Sequence, residues 1–283
     1  MNTAAARPAQ PRSRVGGTAP RIDPLLADRV TEALLLAGLP VGYGGHGVGV
    51  RLRPAEPHDD SDDCAGLVAL HWEPGPRLAA AAAMAQQSAS SARRVVSSSM
   101  ENALAEFLPA FGLEVVLGRA DGETRVGGAG GSAAPPFGTP PRSRAADPSG
   151  VGSRPQDLGI GADVVDAVRR AAALVGLPVA DHLHAPGITL DACRPVDEGD
   201  DARGIADLRW NPSGRLSASA ASAASAADGE QAARVRTAVQ DAMRHAFGSV
   251  LGACGLELRW RRPANLPYQL RAYGPAEQPP VRR

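Results

Sequence analysis

Acidic side chains cluster at two places where the chain is expected to turn between strands. One cluster comprises Asp59, Asp60, Asp62 and Asp63, and the other comprises Asp197, Glu198, Asp200 and Asp201. Carboxylate oxygens are ligands that hard cations such as calcium prefer. Counted from Asp59, however, the calcium-loop pattern places Cys64 where glycine is required and Leu70 where a bidentate glutamate is required. We therefore interpret both clusters as solvated hairpin loops whose charges discourage edge pairing.

Histidines in two comparable loops are the other possible metal ligands. His182 and His184 would share one face of an extended segment, Asp181 is adjacent, and His46 lies in the corresponding loop earlier in the chain. Two or three such ligands, with no cysteine partner or histidine-rich helix, do not make a zinc site. An enzyme whose site lies between His46, His182 and the acidic loops stays open as an alternative, and it requires metal in the purified protein.

The segment Gly42-x-Gly44-x-x-Gly47 matches the spelling of a dinucleotide-binding loop. It follows a predicted helix and precedes a predicted strand, which is the reverse of the order that presents a helix N-terminus to phosphate. The chain also lacks a Gly-x-Ser-x-Gly elbow, a Walker loop and a His-Glu-x-x-His motif. We therefore predict no catalytic residue, no cofactor and no metal site.

Composition places the chain among globular proteins of about two domains. It has 283 residues, of which 43% are hydrophobic. No lysine occurs, so all 30 basic residues are arginine, and they balance the 30 acidic residues. The three cysteines form no even framework and no Cys-x-x-Cys pair, which is typical of a reducing cytoplasm. No apolar run has the length of a signal-peptide core or a membrane span, so we expect a cytoplasmic protein without membrane contact.

Positive charge is concentrated at the two ends of the sequence. Residues 1–22 carry four arginines and no acid, and residues 259–283 carry six arginines against Glu277. The part between these ends is therefore net acidic. Basic ends of this kind favour contact with an anion, or they are simply solvated tails.

A sequence repeat dominates the organisation of the chain. Gly38-Leu39-Pro40-Val41 matches Gly176-Leu177-Pro178-Val179. In the same alignment, without a gap, segment 66–74 is aligned with segment 204–212, and the tryptophan and the final proline of the two segments coincide. Arg77-Leu78 meets Arg215-Leu216, and after a slip of a few residues Gly112-Leu113-Glu114 meets Gly255-Leu256-Glu257. Four anchors in the same order indicate a tandem duplication.

The sequence pattern of each copy predicts secondary-structure elements in the order helix, strand, strand, helix, strand. Helix caps are expected at Asp23 and Asp163, and apolar residues every three or four positions predict a second helix that ends before Gly112 or Gly255. The fold class is thus α+β: a duplicated α-β-β-α-β unit, each a small, mainly antiparallel sheet with two helices on one face. The crossover rule favours the strand order 3-1-2. Trp72 and Trp210 are expected in the core.

The corresponding domain boundaries follow from composition. We predict a basic disordered tail at 1–20, a first repeat at 21–119, a Gly/Pro/Ser-rich linker at 120–158, a second repeat at 159–262 and a tail at 263–283 with an added strand at 268–273. The Ala/Ser runs 79–92 and 217–229 are equally compatible with helix and with mobile loop.

The sheet face turned away from the helices is the candidate interaction surface. Its members are Leu67, Ala69, His71 and Val116 in the first copy and Arg209, Arg259 and Arg261 in the second, where Asp207 and Glu257 also lie. The partly apolar face of the first copy is expected to be covered, by the second copy or by another chain, and the charged face of the second to be open.

The preferred function at this point is a non-enzymatic binding or scaffold protein. Its duplicated domain would form an intramolecular pseudo-dimer and engage a protein partner, either another protein or a second copy of itself. The alternative is a weakly specific contact with nucleic acid through the arginine-rich tails and Arg259-Trp260-Arg261-Arg262.

Overall fold

The computed structural model describes residues 22–42, 47–56, 64, 66–84, 86–117, 123–128, 159–182, 185–193, 204–221, 226–262 and 268–276. Within them the chain forms six α-helices and two separate sheets of four antiparallel strands. This is a two-unit α+β architecture, in agreement with the predicted class.

The first half contains three helices and one sheet. The helices are α1 (Pro24–Leu36), α2 (Pro76–Ala83) and α3 (Gln87–Phe107), and a short 3-10 turn (Leu108–Phe111) extends α3. The strands are β1 (Gly49–Pro54), β2 (Val68–Glu73), β3 (Leu113–Leu117) and β4 (Thr124–Gly128), in the sheet order β1-β2-β4-β3.

The second half has the same order of elements. Its helices are α4 (Ala162–Val175), α5 (Gly214–Ala221) and α6 (Ala226–Ala253). Its strands are β5 (Gly187–Ala192), β6 (Ala206–Asn211), β7 (Leu256–Arg261) and β8 (Gln269–Pro275), in the order β5-β6-β8-β7. Strand register is also shared, because Gly49 faces Glu73 in the first sheet and Gly187 faces Asn211 in the second.

Several details of the predicted unit differ in the structure. Each half holds one helix more than the α-β-β-α-β pattern, and the first half also holds an added strand, β4, which falls inside the stretch 120–158 predicted as linker. The order 3-1-2 is wrong because the extra strand lies between the third strand and the second, so β3 and β1 occupy opposite edges. Asp163 is a first-turn residue of α4, whose N-cap is Gly161.

Other local predictions are confirmed. Asp23 caps α1, accepting a hydrogen bond from the Leu25 amide at 3.0 Å. The strand predicted at 268–273 is β8. For the Ala/Ser runs, with which helix and loop were equally compatible, the structure has helix in α2, α3, α5 and α6, except at Met84 and Gln86 between α2 and α3; residues 85 and 222–225 lie outside the described part.

One core of buried apolar side chains extends through both halves. In the first half, Leu104 and Phe107 of α3 are fully buried together with Leu70 and Trp72 of β2. Long helices α3 and α6 pack on each other, so the apolar stripes of both halves are removed from water together. A smaller cluster of Ala55, Cys64 and Ala69 lies apart from this core.

The contacts between the halves are reciprocal. The indole of Trp72 donates to the carbonyl of Val175 at 2.9 Å, and that of Trp210 donates to the carbonyl of Ala37 at 2.8 Å. Backbone bonds repeat the exchange, from the Gly75 amide to the Leu174 carbonyl and from the Ser213 amide to the Leu36 carbonyl. The last carbonyls of a helix lack partners within the helix, and here the opposite half supplies them.

Candidate functional site

Strand β7 carries the most conspicuous exposed side chains of the second half. It is the terminal strand of its sheet, paired with β8 on one side. Its final residues Arg259, Trp260 and Arg261 are exposed, as are Arg262 directly after it and Tyr268 directly before β8. We call these five residues the β7 strip.

The Trp260 ring packs on a glycine of α6 and stays partly exposed. Trp260 faces Leu270 in β8, and its side chain lies on the side of the sheet that α6 covers. A Cβ on Gly248 would come within 3.1 Å of the indole, so the ring rests where α6 has no side chain. The ring also lies 5.6 Å from the exposed His245 imidazole, centre to centre. It keeps 43% of its surface exposed.

Arginines of the strip are oriented by acidic and aromatic neighbours. Arg259 donates to Glu257 at 2.6 Å and stacks over the Tyr273 ring at 4.8 Å. Arg262 lies over the Tyr268 ring at 5.3 Å. The hydrogen bond to Glu257, and then its charge, raise the pKa of Arg259, so this guanidinium stays cationic. The strip therefore combines fixed positive charge with two exposed aromatic rings, those of Trp260 and Tyr268.

A buried ion pair lies behind the strip in the same sheet. Arg271 of β8 has no exposed surface, and its Nε is 3.3 Å from a carboxylate oxygen of Asp207, which is 3% exposed. Burial raises the pKa of Asp207, and Arg271 opposes that shift. In the register of the sheet Arg271 also faces Arg259. The prediction that Asp207 lies on an open face is therefore corrected: it is covered, and its charge is directed at Arg271.

The first half has a buried arginine at the matching position. Arg125 of β4 faces Ala69 just as Arg271 faces Asp207. Its guanidinium contacts the Cys64 sulfur at 2.9 Å and the Glu56 carbonyl at 3.0 Å. Sequence reasoning missed both arginines as buried residues, because Arg125 fell in the predicted linker and Arg271 in the predicted tail. The alternation of apolar and polar residues around Arg271 was the available signal.

An imidazole–carboxylate pair occupies a pocket on the first half. His71 Nδ1 lies 3.1 Å from Oε1 of Glu101, a buried residue of α3. The Thr124 hydroxyl donates to the Glu101 backbone carbonyl at 2.9 Å, which ties β4 to the same turn of α3. The surrounding pocket measures about 660 Å³ and includes Arg94. The expectation that His71 faces outward thus needs correction, because it is half-buried against this carboxylate.

The remaining predicted surface residues are dispersed over the molecule. Ala69 is buried against Ala55 and Cys64 of its own half, so neither the second copy nor another chain is needed to cover it. Leu67 packs on that cluster, and Val116 is 43% exposed on the terminal strand β3. Arg209 is exposed and lies 3.4 Å from Asp191. The structure brings Arg259 and Arg261 together on β7, apart from the others.

Most of the residues first considered for metal chemistry lie outside the described part of the chain. This holds for both acidic clusters and for His46 and His184, and Gly44 of the glycine-rich segment lies outside it as well. His182 is described; it is exposed, 3.6 Å from Asp181. Within the described ranges, no group of three histidine, cysteine, aspartate or glutamate side chains is arranged to hold a metal ion.

Comparison with protein families, with curated proteins and with solved structures finds no match for this chain. Among the residues described, none of the helices is both long enough and apolar enough to cross a bilayer.

Proposed function

We propose that the chain is a non-enzymatic, cytoplasmic binding or scaffold protein built from a tandem duplication. In this proposal the two copies fold against each other as one intramolecular pseudo-dimer, and the assembled body presents a surface to a protein partner. The observation that carries the binding role is the exposure of Trp260 between arginines on a terminal strand, in a chain whose other two tryptophans are buried.

Reciprocal contacts support the pseudo-dimer. In a homodimer with two-fold symmetry, each contact from one subunit to the other occurs twice, in opposite directions. The two indole–carbonyl bonds and the two amide–carbonyl bonds between the halves have this relationship. If the gene of a single unit that formed such a dimer were duplicated in tandem, one chain would contain both subunits and the interface between them.

The chemistry of the β7 strip supports a protein partner. Tryptophan, tyrosine and arginine are the residues most enriched where protein interfaces derive their binding energy. Leaving an indole partly in water forgoes part of the roughly 1.5–3 kcal/mol gained by burying a large apolar side chain. Trp260 packs on Gly248 and still keeps 43% of its surface exposed.

Site-specific photocrosslinking in the native cell tests the binding role. A photoreactive phenylalanine at position 260 should yield a discrete adduct, whereas the same residue at Leu35, an exposed apolar position on α1, should not. An adduct of twice the chain mass would identify a second copy as the partner. If position 260 gives no adduct, or both positions give the same diffuse set, the proposed role is wrong.

A second candidate function is weakly specific association with nucleic acid. The observation that favours it is the stacking of Arg262 over the exposed ring of Tyr268, since arginine and aromatic side chains together bind single strands. Such binding should fall steeply as salt rises from low to physiological concentration. Deletion of residues 1–20 together with replacement of Arg262, Arg282 and Arg283 should then abolish it. Deleting the whole segment 263–283 is unsuitable as a test, because it removes β8.

A further inference from the structure

We infer that β7 is a docking edge for an extended acidic peptide whose side chains alternate between carboxylates and apolar groups. The peptide joins the second sheet as an additional strand beside β7. This inference rests on the proposed function and specifies the chemistry of the partner.

The described edges of the two sheets are not equivalent. At the β1 edge, the Val50 amide donates to the Pro40 carbonyl and the Gly42 amide to the Val50 carbonyl, each at 2.9 Å. The β5 edge is occupied in the same way, with Ile188 bonded to Pro178 and to Ala180. The segment that follows the first helix of each half thus already uses these edges. The other terminal strands are β3 and β7.

Charge distinguishes β7 from β3. Strand β3 reads Leu-Glu-Val-Val-Leu, with one acid and no base. Strand β7 reads Leu-Glu-Leu-Arg-Trp-Arg, and Arg262 follows it. Carboxylates on a docked strand would therefore be attracted by the arginines of β7, whereas β3 has no basic residue to attract them.

Strand geometry specifies the order of side chains in the peptide. Successive side chains of a strand point to opposite faces, so Arg259 and Arg261 share one face of β7, and Leu258 and Trp260 share the other. Residues directly opposite on neighbouring strands come within about 4.5–5.5 Å. A docked strand therefore needs acidic residues at alternate positions for the arginines, and apolar residues between them for Trp260.

The same surroundings disfavour a nucleic acid at this edge. Glu257 lies on the strand itself, 2.6 Å from Arg259. A phosphate backbone carries a negative charge at every unit and would meet this carboxylate, whereas a peptide needs carboxylates only opposite Arg259 and Arg261. A peptide strand can instead use the backbone donors and acceptors of a sheet edge, which is the usual mode of strand addition.

Binding of defined peptides to the full-length chain tests the inference. The probe is a fluorescent eight-residue peptide of alternating glutamate and valine, followed by anisotropy, with a lysine–valine peptide and an oligothymidylate for comparison. We expect the acidic peptide to bind and the lysine–valine peptide not to bind. Combining Arg259→Glu with Arg261→Glu should weaken binding about tenfold or more and should let the lysine–valine peptide bind instead.

A matched control is available in the same sheet. Arg209 is an exposed arginine on β6 rather than on the edge, so Arg209→Glu makes the same chemical change away from the docking site. It should leave the affinity within about twofold, as a distant surface charge is largely screened. Equal losses for the β6 and β7 variants would overturn the inference.

Hydrogen exchange locates the bound peptide. Saturating peptide should slow exchange of amides in Leu256–Arg261 and leave Leu113–Leu117 unchanged, because only β7 gains hydrogen-bond partners. Absence of binding, protection at another element, or tighter binding of oligothymidylate than of the acidic peptide would each overturn the inference. A crosslinked protein at position 260 together with any of these results would leave the binding role standing and reject only the acidic strand as its ligand.

Discussion

The indole nitrogen of Trp210 lies 2.8 Å from the carbonyl oxygen of Ala37, the residue that ends the first helix of the other half. Trp72 has the same relationship to Val175, the last residue of α4. Each tryptophan is therefore both a core side chain of its own half and the hydrogen-bond donor that completes a helix of the other. The stability of each half is thereby coupled to the packing of its neighbour.

Replacing either buried tryptophan by phenylalanine should destabilise the protein by about 1–3 kcal/mol. Phenylalanine keeps an aromatic ring in the core but leaves a buried helix-terminal carbonyl without its donor. Trp260→Phe is the matched control and should change the free energy of unfolding by less than about 0.5 kcal/mol, since this indole is on the surface. Urea unfolding measures all three. Equal effects at positions 72 and 260 would contradict the assigned role.

Gly176→Ala should be costlier than Gly255→Ala, although both glycines have a positive φ. At either position, an alanine in the left-handed conformation reduces the free energy of unfolding by about 1–2 kcal/mol. A Cβ at Gly255 meets nothing within 4 Å, whereas one at Gly176 collides with Val48 of the other half. We expect about 1–3 kcal/mol more destabilisation at Gly176 from overpacking. Identical melting curves for the two variants would show that the halves separate readily.

Arg271→Met should destabilise the protein by about 3–5 kcal/mol at neutral pH, because it leaves the Asp207 carboxylate buried without its cation. Adding Asp207→Leu should recover most of that loss, as an apolar pair of similar volume is often tolerated. Strict additivity of the two changes, measured by denaturant unfolding, would show that the two residues are not coupled.

The pH dependence of the Arg271→Met penalty follows from the pKa of Asp207. Burial already raises this pKa, and removing Arg271 takes away the larger of the two positive charges that oppose the shift, leaving only Arg209. A carboxyl with a raised folded-state pKa contributes stability below its unfolded pKa of about 4 and loses it as pH rises through the folded value. The Arg271→Met penalty should therefore be smaller near pH 4 than near pH 7.

Cys254 should alkylate slowly in the native protein. Burial raises its pKa from 9.0 to about 11, so its thiolate, the reactive form, is scarce at pH 8. Two pKa units correspond to a rate about a hundredfold below that of an unperturbed thiol. Peptide mapping after iodoacetamide treatment measures the rate, and denaturation in urea should restore it. A fast native reaction would show that the thiol is not desolvated.

Sequence patterns were sufficient for the helices with a clear apolar stripe, α1, α3, α4 and α6, and for the strands that alternate, but not for α2 and α5, which fall mostly in the Ala/Ser runs. The β1–β2 pair was predictable because apolar residues at every second position distinguish its two faces. Strand β4 was not, since Thr124–Gly128 has a single large apolar residue, Val126, ends in two glycines and lies next to a Gly/Pro/Ser-rich stretch. Missing β4 also produced the wrong sheet order, because the strand between β2 and β3 was absent from the expected unit.

The candidate site was predictable in its charge but not in its exposure. Arg259 and Arg261 were assigned to the sheet surface from alternation alone. The packing of Trp260 on α6 depends on Gly248, which precedes it in sequence and contacts it only in the folded chain. The burial of Arg271 likewise depends on Asp207, a residue distant in sequence. Pairings of this kind follow from tertiary packing, which local patterns do not encode.

The exchange of helix-end partners has a consequence for how the coding sequence can change over time. A substitution at Trp72 removes a donor from the end of α4, and one at Trp210 removes a donor from the end of α1, so the two halves are constrained jointly at these positions. The outer surfaces carry no such constraint, and there the arginine-rich β7 and the arginine-free β3 differ. Loss of either half would leave the other with an orphaned indole and with helix-end carbonyls that lack their donors.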